Sequence, residues 1–390
     1  MCMYFSNSNL PTMDWFELNC NSVLNLRPEF VFLIFRTLKC YHTFNSFDCS
    51  IGISGLSIRF KSGQTKIRVV TLKKVLRELK IPFYKASSNI SSLGRNDSIR
   101  NTRFPFIIRP LWGALLAHSF FDGYADEFTL RYSNYDLDIR KEFVNLTKEA
   151  RISGVNCPDN FRNDINVSGT VSRMLKVIFN VNSFYSKECR LSERFFNIVK
   201  KCNLFGWYFL KGAFLDEGSL TSGQIWIVRG ITNRSLAFDL VRLCGMLGLK
   251  TRIQETYKDY AYSVGLHHQS FVLFYLYVNR LTKYKGKKML KLKKRIRIHV
   301  LKKKHQAKIS SDFRLILNYL ATHSSISTSE ISKLCRVSDL PALLRAKLLL
   351  KNRNIKNVGV GKFSRYILIS RKALMPKLNL NLVRRELGWR

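Results

Sequence analysis

LKGAFLDEG, running from Leu210 to Gly218, is the stretch from which the rest of the chain is read. Gly212 and Ala213 break its apolar run, which then ends in Asp216, Glu217 and a glycine. Carboxylates in that place sit where the helix dipole already makes the potential negative. Upstream, LLAHSFFDG (Leu115–Gly123) is a partial echo that closes on Asp122 and Gly123. Residues three or four apart share a helix face. Small residues at Gly212 and Ala213, and at Ala117 and Ser119, therefore let two helix backbones approach closely. Helices side by side along that seam bring Asp122 and Glu217 together at its base. Two carboxylates at two negative helix ends repel unless a cation lies between them, and oxygen ligands with water suit Mg2+. The pattern thus implies a metal site. Asp216, about 100° around the helix from Glu217, is expected to point away from the seam. Asp126 and Glu127 are the substitutes for Asp122 should the register be shifted.

The bulk properties agree with such a partner for phosphate. The chain has 390 residues, 46% of them apolar, enough for two or three domains with full cores. Against 26 acids stand 66 Lys and Arg, a net charge of +40. That excess calls for a polyanion, and nucleic acid is the first choice. A membrane is not expected, because no apolar run approaches the roughly 18–20 residues of a span. The opening MCMYFSNSNL lacks a basic start followed by an apolar stretch, so secretion is not expected. Nine cysteines, none in C-x-x-C spacing, read as reduced thiols of a cytoplasmic compartment or an organellar matrix. The His267–His268 pair has no Cys or His at finger-like spacing, so no structural zinc site is expected.

Six regions follow. Residues 1–108 form an N-terminal α/β region of unassigned role, in which TKIRVVTLKKVLRELKIP reads as a strand and then a helix capped by Thr71. Residues 109–208 and 209–290 are two versions of one pattern, each opened by the helix ending in D-G or E-G. In the second, SLTSGQIWIVRGI reads as a hairpin turning at Ser222–Gly223. Asn233 then caps a helix whose Leu236, Leu240, Leu243 and Leu247 share a face. TRIQETYKDYAYSVGL reads as another hairpin, turning near Lys258–Asp259. The first copy is looser, with FTLRYSN, a helix around DIRKEFVNLTKEA and a strand expected at TVSRMLKVIF. From Arg280 to Lys308 there are 14 Lys or Arg and no acid; residues 291–308 are read as a basic linker. Residues 309–375 read as three helices and two strands around a Gly-rich turn, a winged helix-turn-helix, followed by a basic tail over 376–390.

At this point the chain resembles the LAGLIDADG homing endonucleases of the two-motif, single-chain type. LLAHSFFDG and LKGAFLDEG both align to the nine-letter motif without gaps, and the likeness covers roughly residues 110–290. The eighth letter is the family's metal-binding acid, which puts Asp122 and Glu217 in that role. The small third letter is kept as Ala117 and Gly212, the helix-seam positions. The sixth-letter Asp is lost in both copies, to Phe120 and Leu215; in the family that position is mainly structural.

The resemblance implies an α+β fold of two pseudo-symmetric αββαββα repeats, forming an antiparallel saddle on double-stranded DNA. It also implies Mg2+, or another divalent cation such as Mn2+, and double-strand cutting, with each acid serving one scissile phosphate. Family members keep basic residues after the last helix of a repeat; here these are Lys285, Lys287 and Lys288. Expected DNA contacts are Thr129, Arg131, Arg173 and Lys176 in the first repeat. Gln224, Arg229, Arg252, Gln254 and Lys258 are their counterparts in the second. Arg345, Lys347, Lys351, Lys362 and Arg365 of the C-terminal domain would add phosphate contacts. With both repeats in one chain, a monomer is expected. Two other readings stay open. LKGAFL also resembles the degenerate motif of bacterial sporulation-type regulators, which bind DNA without cutting and have lost the acids. The family further contains maturases, and the charge would serve intron RNA equally well.

Overall fold

Two helices form the centre of the larger part of the molecule, and each is buried on every side. A helix that is apolar all round belongs inside a core. In α6 (Leu111–Phe120) every residue is buried, and in α10 (Leu204–Glu217) ten are. The computed structural model describes residues 10–369 except 41–42, 97, 126–128, 156–163, 222, 257–260, 284–285 and 360–363. The architecture is α+β with antiparallel sheets. The chain divides into two compact units, residues 1–292 and 293–390.

The first unit begins with β1 (Thr12–Met13), β2 (Val23–Leu26), α1 (Pro28–Leu38), α2 (Phe44–Ile51) and α3 (Leu56–Lys61). It continues through β3 (Lys66–Arg68), α4 (Val69–Glu78), α5 (Phe83–Ser87), β4 (Ile90–Leu93), β5 (Ile99–Arg100) and β6 (Phe106–Ile107). These build a four-stranded sheet ordered β3-β2-β4-β5 and a small β1-β6 pair. Helix α4 starts directly after β3, so Thr71 is a buried interior residue of it and not its cap.

Around α6 lie β7 (Gly123–Ala125), β8 (Thr129–Tyr132), α7 (Leu137–Glu149), β9 (Ile165–Ser168) and α8 (Gly169–Phe179), with sheet order β7-β8-β9. The strand expected at TVSRMLKVIF is α8. Val171, Met174, Leu175 and Ile178 recur at helical spacing and are buried. Ser168 Oγ accepts from Thr170 N, and Asn180 ends the helix in the left-handed region. Helix α9 (Glu193–Lys201) leads into α10. Next come β10 (Ser219–Leu220), β11 (Ile225–Ile231), α11 (Arg234–Met246), β12 (Thr251–Thr256), β13 (Ala261–Leu266) and α12 (Phe271–Leu281). The order αββαββα is complete here, the strands are ordered β10-β11-β13-β12, and Asn233 caps α11.

The basic stretch expected as a linker is helical. Residues Lys287–Thr322 form a single helix, α13. The segment contains no Gly or Pro and is rich in Lys, Leu and Arg, which favour helix. In the second unit, β14 (Ile326–Ser327), α14 (Thr328–Cys335), α15 (Asp339–Lys351), β15 (Ile355–Asn357) and β16 (Arg365–Leu368) follow. Its sheet is ordered β14-β16-β15, over a core that includes Phe313, Ile316, Ile331, Leu349 and Tyr366.

Candidate active site at the paired helix ends

The two central helices run in the same direction and touch through small residues. A Cβ on Gly113 would run into the carbonyl of Phe205, and one on Gly212 would lie 2.8 Å from Ala117 Cβ. Gly212 and Ala117 thus face each other across the seam. Both closing glycines are required by space, not by an unusual backbone angle. A Cβ on Gly123 would sit 2.6 Å from the His118 carbonyl oxygen, and one on Gly218 would clash with the Phe214 carbonyl. The chain leaves each helix hard against its last turn, and this fixes where the preceding acid points.

Asp122, just beyond α6, and Glu217, the last residue of α10, lie in one electrostatic cluster with Asp216 and Lys288. Burial and the neighbouring Asp216 push the Asp122 carboxyl from 3.8 up to about 8. Glu217 is raised for the same two reasons. Asn134 Nδ2 donates to Asp122 Oδ2, and Asn134 Oδ1 itself accepts from Asp136 N at 2.8 Å. A carboxylate is thereby oriented from the loop after β8.

Asp216 does not point away. Its side chain is fully buried, accepting from His118 Nδ1 at 2.9 Å and from the Tyr132 hydroxyl at 2.7 Å. Tyr132 stacks on Phe143 with centroids 4.2 Å apart, and its hydroxyl is raised by burial and by Asp216. In a helix surrounded by protein, a 100° turn leads to another packed surface and not to solvent. His118, Tyr132 and Asn134 escaped the sequence reading, and Asp216 was placed on the wrong face. The available signal was the intrusion of His118 and Asp216 into otherwise apolar motif letters.

Lys288, near the start of α13, is the cation of the cluster. Its ammonium donates to the carbonyls of Phe214, Leu215 and Asp216 at 3.2, 2.5 and 3.4 Å. A cation at a helix C-terminus satisfies carbonyls that have no intrahelical partner. Burial lowers its pKa, and the acids around it oppose that shift. Lys287 is exposed and does not figure among the charges acting on Asp122 or Glu217. Lys285 lies outside the described residues, as do Asp126 and Glu127.

Among the expected nucleic-acid contacts, Arg131 on β8 alternates outward with Thr129, while Leu130 and Tyr132 are buried. Thr129 Oγ1 donates to Val167 O at 3.3 Å. Arg252 and Gln254 are the exposed alternate residues of β12, and Arg229 is exposed on β11. Arg252 Nη2 donates to Gln224 Oε1 at 2.8 Å, with its guanidinium 5.5 Å from the Trp226 ring. Arg173 and Lys176 lie on α8 and not on a strand; Lys176 stands 5.9 Å from the Phe184 ring. In the second unit Lys347, Lys351 and Arg365 are exposed, whereas Arg345 is buried. Its guanidinium is held by Asp312 at 2.6 Å and by the Pro341 carbonyl at 3.0 Å, so Arg345 is a core residue and not a phosphate contact. Lys258 and Lys362 lie outside the described residues.

Among the described residues no three His, Cys, Asp or Glu side chains converge as a metal-binding group. The pair Asp122 and Glu217 nevertheless fits a hard divalent cation completed by water and phosphate oxygens. Both are oxygen donors, and both are destabilised as anions by burial and by Asp216, the condition a bound cation relieves. No described helix is long and apolar enough to cross a membrane.

Structural comparison finds likeness to the homing endonuclease I-DmoI. A structure of mesophilic variants of that enzyme is 15% identical, covering 43% of this chain and 94% of its own, with a TM-score of 0.32. The complex of I-DmoI with DNA and Mn gives 15%, 43% and 96%, again with a TM-score of 0.32. A glycine-to-serine variant with its target DNA and Mg gives 14%, 43% and 95%, with a TM-score of 0.31. No family model and no curated protein matches the chain.

Proposed function

We propose that the chain is a divalent-cation-dependent DNA endonuclease of the LAGLIDADG type, cutting both strands at a specific site. The observation that carries this reading is the convergence of Asp122 and Glu217 at the ends of two parallel helices in close contact through Gly212 and Ala117. A bound divalent cation would activate water and offset the charge that develops on the phosphate. Asp122 and Glu217 would hold it, one for each strand. Asn134 keeps Asp122 in register, while His118 and Tyr132 hold Asp216 behind the pair. Lys288 supplies fixed positive charge among the acids without occupying either one. Arg131, Arg229, Arg252 and Gln254, exposed on strands of the two sheets, suit the donor and acceptor pattern of the major groove. The helix–strand–helix–helix–strand–strand order of the second unit supports a winged helix, with Lys347, Lys351 and Arg365 reaching phosphates.

The test uses wild-type protein and Glu217→Gln on duplex DNA spanning the uninterrupted form of the chain's own insertion locus, with Mg2+ and with EDTA. Discrete Mg2+-dependent double-strand cutting by wild type, reduced to nicking in the variant, is expected. In EDTA both proteins bind the duplex. Thermal stability at pH 8 should rise with Mn2+ for wild type, and by less for the variant, which keeps Asp122. Tight, salt-sensitive binding without cutting by either protein would overturn the nuclease reading in favour of a non-catalytic binder.

A further inference from the structure

The N-terminal sheet carries a groove of about 570 Å3 whose rim is cationic. Arg59 from α3, Lys66 and Arg68 from β3, and Arg95 from the loop after β4 line it, with Gln64 and Asn96 between them. All six are exposed, and no acid is among the described lining residues. None of the four cations has an acidic partner within ion-pair distance among the described residues. Four like charges held together repel one another, and a polyanion relieves that repulsion.

The groove adjoins the edge of the first repeat's sheet. Arg95 and Asn96 sit between Gly94 and Ser98. Ser98 Oγ donates to Ser168 Oγ at 2.7 Å, at the end of β9. Gly94, at φ +90°, approaches so closely that a Cβ there would be 2.8 Å from Thr170 Oγ1. Thr129, directly opposite Ser168, and Arg173, whose Nη2 donates to Thr170 Oγ1 at 3.4 Å, stand at the same corner. The cationic rim therefore continues the polar edge on which the first repeat's expected DNA contacts lie. Among the described lining residues the one aromatic, Phe60, is buried, so these residues present no exposed ring on which an unpaired base would stack. What it offers is concentrated positive charge.

We infer that residues 10–108 form a phosphate clamp for the duplex DNA flanking the first repeat's half-site, with Arg59, Lys66, Arg68 and Arg95 as its contacts. This rests on the DNA-binding reading above and extends it to a module that the two repeats do not require. Clamping lengthens the footprint on one side only and makes binding more dependent on salt, since each neutralised phosphate releases counterions.

The experiment compares full-length wild type with a variant carrying Arg59→Gln, Lys66→Gln, Arg68→Gln and Arg95→Gln, all at exposed positions. A control variant of equal charge replaces Lys141, Lys148, Lys200 and Lys201, exposed on α7 and α9, with Gln. Binding to a fluorescent 30-base-pair duplex is followed by anisotropy across salt concentrations, without metal. The groove variant should lose about 3–4 from the slope of log K against log salt, at roughly 0.9 per phosphate contact. The control should keep the wild-type slope. Hydroxyl-radical footprints on the insertion-locus duplex should shorten on one flank for the groove variant alone. An unchanged slope and footprint in the groove variant, with wild type still binding and cutting, overturns the clamp and leaves the nuclease reading intact. Equal slope losses in both variants also overturn it, by showing only the effect of total charge. Wild-type protein that binds no duplex overturns both readings together.

Discussion

The two repeats share a seam and differ in the polar letters set into it. Where the second motif has Lys211, the first has Leu116; where the first has His118, the second has Ala213; and Asp216 stands opposite Phe121. Each intruder is answered from the other half. Lys211 pairs with Glu142 on α7, their side chains 0% and 4% exposed. Asp216 takes hydrogen bonds from His118 and Tyr132. A buried ion pair adds little net stability against a well-packed apolar pair, because desolvation offsets the attraction. What these contacts contribute is discrimination. A first half paired with a copy of itself would bury His118 without a carboxylate, and a second half so paired would bury Asp216 without its partners. The chemistry along the seam makes the halves complementary and not interchangeable.

The largest effect is expected from breaking the deeper of these contacts. Lys211→Met leaves Glu142 buried, with Thr282 Oγ1 at 3.5 Å as its remaining hydrogen-bond partner among the described residues. Stranding one partner of a buried pair costs about 3–5 kcal/mol, which lowers Tm by about 10 °C. Adding Glu142→Met should restore most of that loss. A single variant as stable as wild type would break the claim that the halves are specified by buried charge.

The next comparison is between the acids. Asp122→Asn and Glu217→Gln should each confine cutting to one strand, slowing the affected strand about 10²–10³-fold, and strand-specific labelling reads the two products separately. Without metal both variants should change the pH dependence of stability. The folded-state carboxyl of Asp122 lies near 8 against an ordinary 3.8. Its proton therefore favours the folded state fully below about pH 4, and that advantage is lost as the pH rises from about 4 to 8. Asp122→Asn removes the loss, so in EDTA it should melt several degrees above wild type at pH 8.5 and level with it near pH 4. Glu217 is raised too, by burial and by Asp216, so Glu217→Gln should gain metal-free stability in the same direction.

How much of this was legible follows from where each residue lies. The seam, the αββαββα order of the second repeat and the Asn233 cap were readable, because small residues, strand alternation and N-cap chemistry act locally; the expected turns at Ser222 and Lys258–Asp259 lie outside the described residues. The inward turn of Asp216 was not. Helical periodicity assigns faces relative to solvent, and α10 has no solvent face. The strand expected at TVSRMLKVIF failed for a different reason, since β-branched letters masked an apolar spacing of three and four. Arg345 looked like a phosphate contact because its partner, Asp312, lies 33 residues away in sequence. The first repeat was looser in sequence for a physical reason too. After α11 the chain makes β12, which pairs with β13 along six residues, whereas after α7 Ile152 pairs with Ile99 of the N-terminal sheet. A module outside the repeat supplies the partner that the repeat itself supplies in the second half.

Packing at the seam offers a more modest test. Gly212→Ala sets a methyl 2.8 Å from Ala117 Cβ and 3.1 Å from the Ala114 carbonyl oxygen. The helices must separate to admit it, at about 1–3 kcal/mol for overpacking. Because separation also parts Asp122 from Glu217, cutting should fall by more than the loss of folded protein explains. Gly245→Ala, on α11 with nothing within 4 Å of the added carbon, is the control; it should leave both stability and cutting close to wild type.

The smallest expected effect concerns Asp216 and separates support from chemistry. Asp216→Asn keeps the size of the side chain and an oxygen to accept from His118 or Tyr132, but removes a negative charge that raises Asp122. The Asp122 carboxyl should then titrate lower, so the loss of metal-free stability with rising pH should end at lower pH and be smaller. Under the nuclease reading, the rise of cutting rate with pH should move the same way, by about one unit or less, with the maximal rate little changed. Rates measured from pH 5.5 to 9 at saturating Mg2+ decide it. If the profile stays in place while the maximal rate collapses, Asp216 belongs with Asp122 and Glu217 at the phosphate, and the second half contributes two working acids to the first half's one.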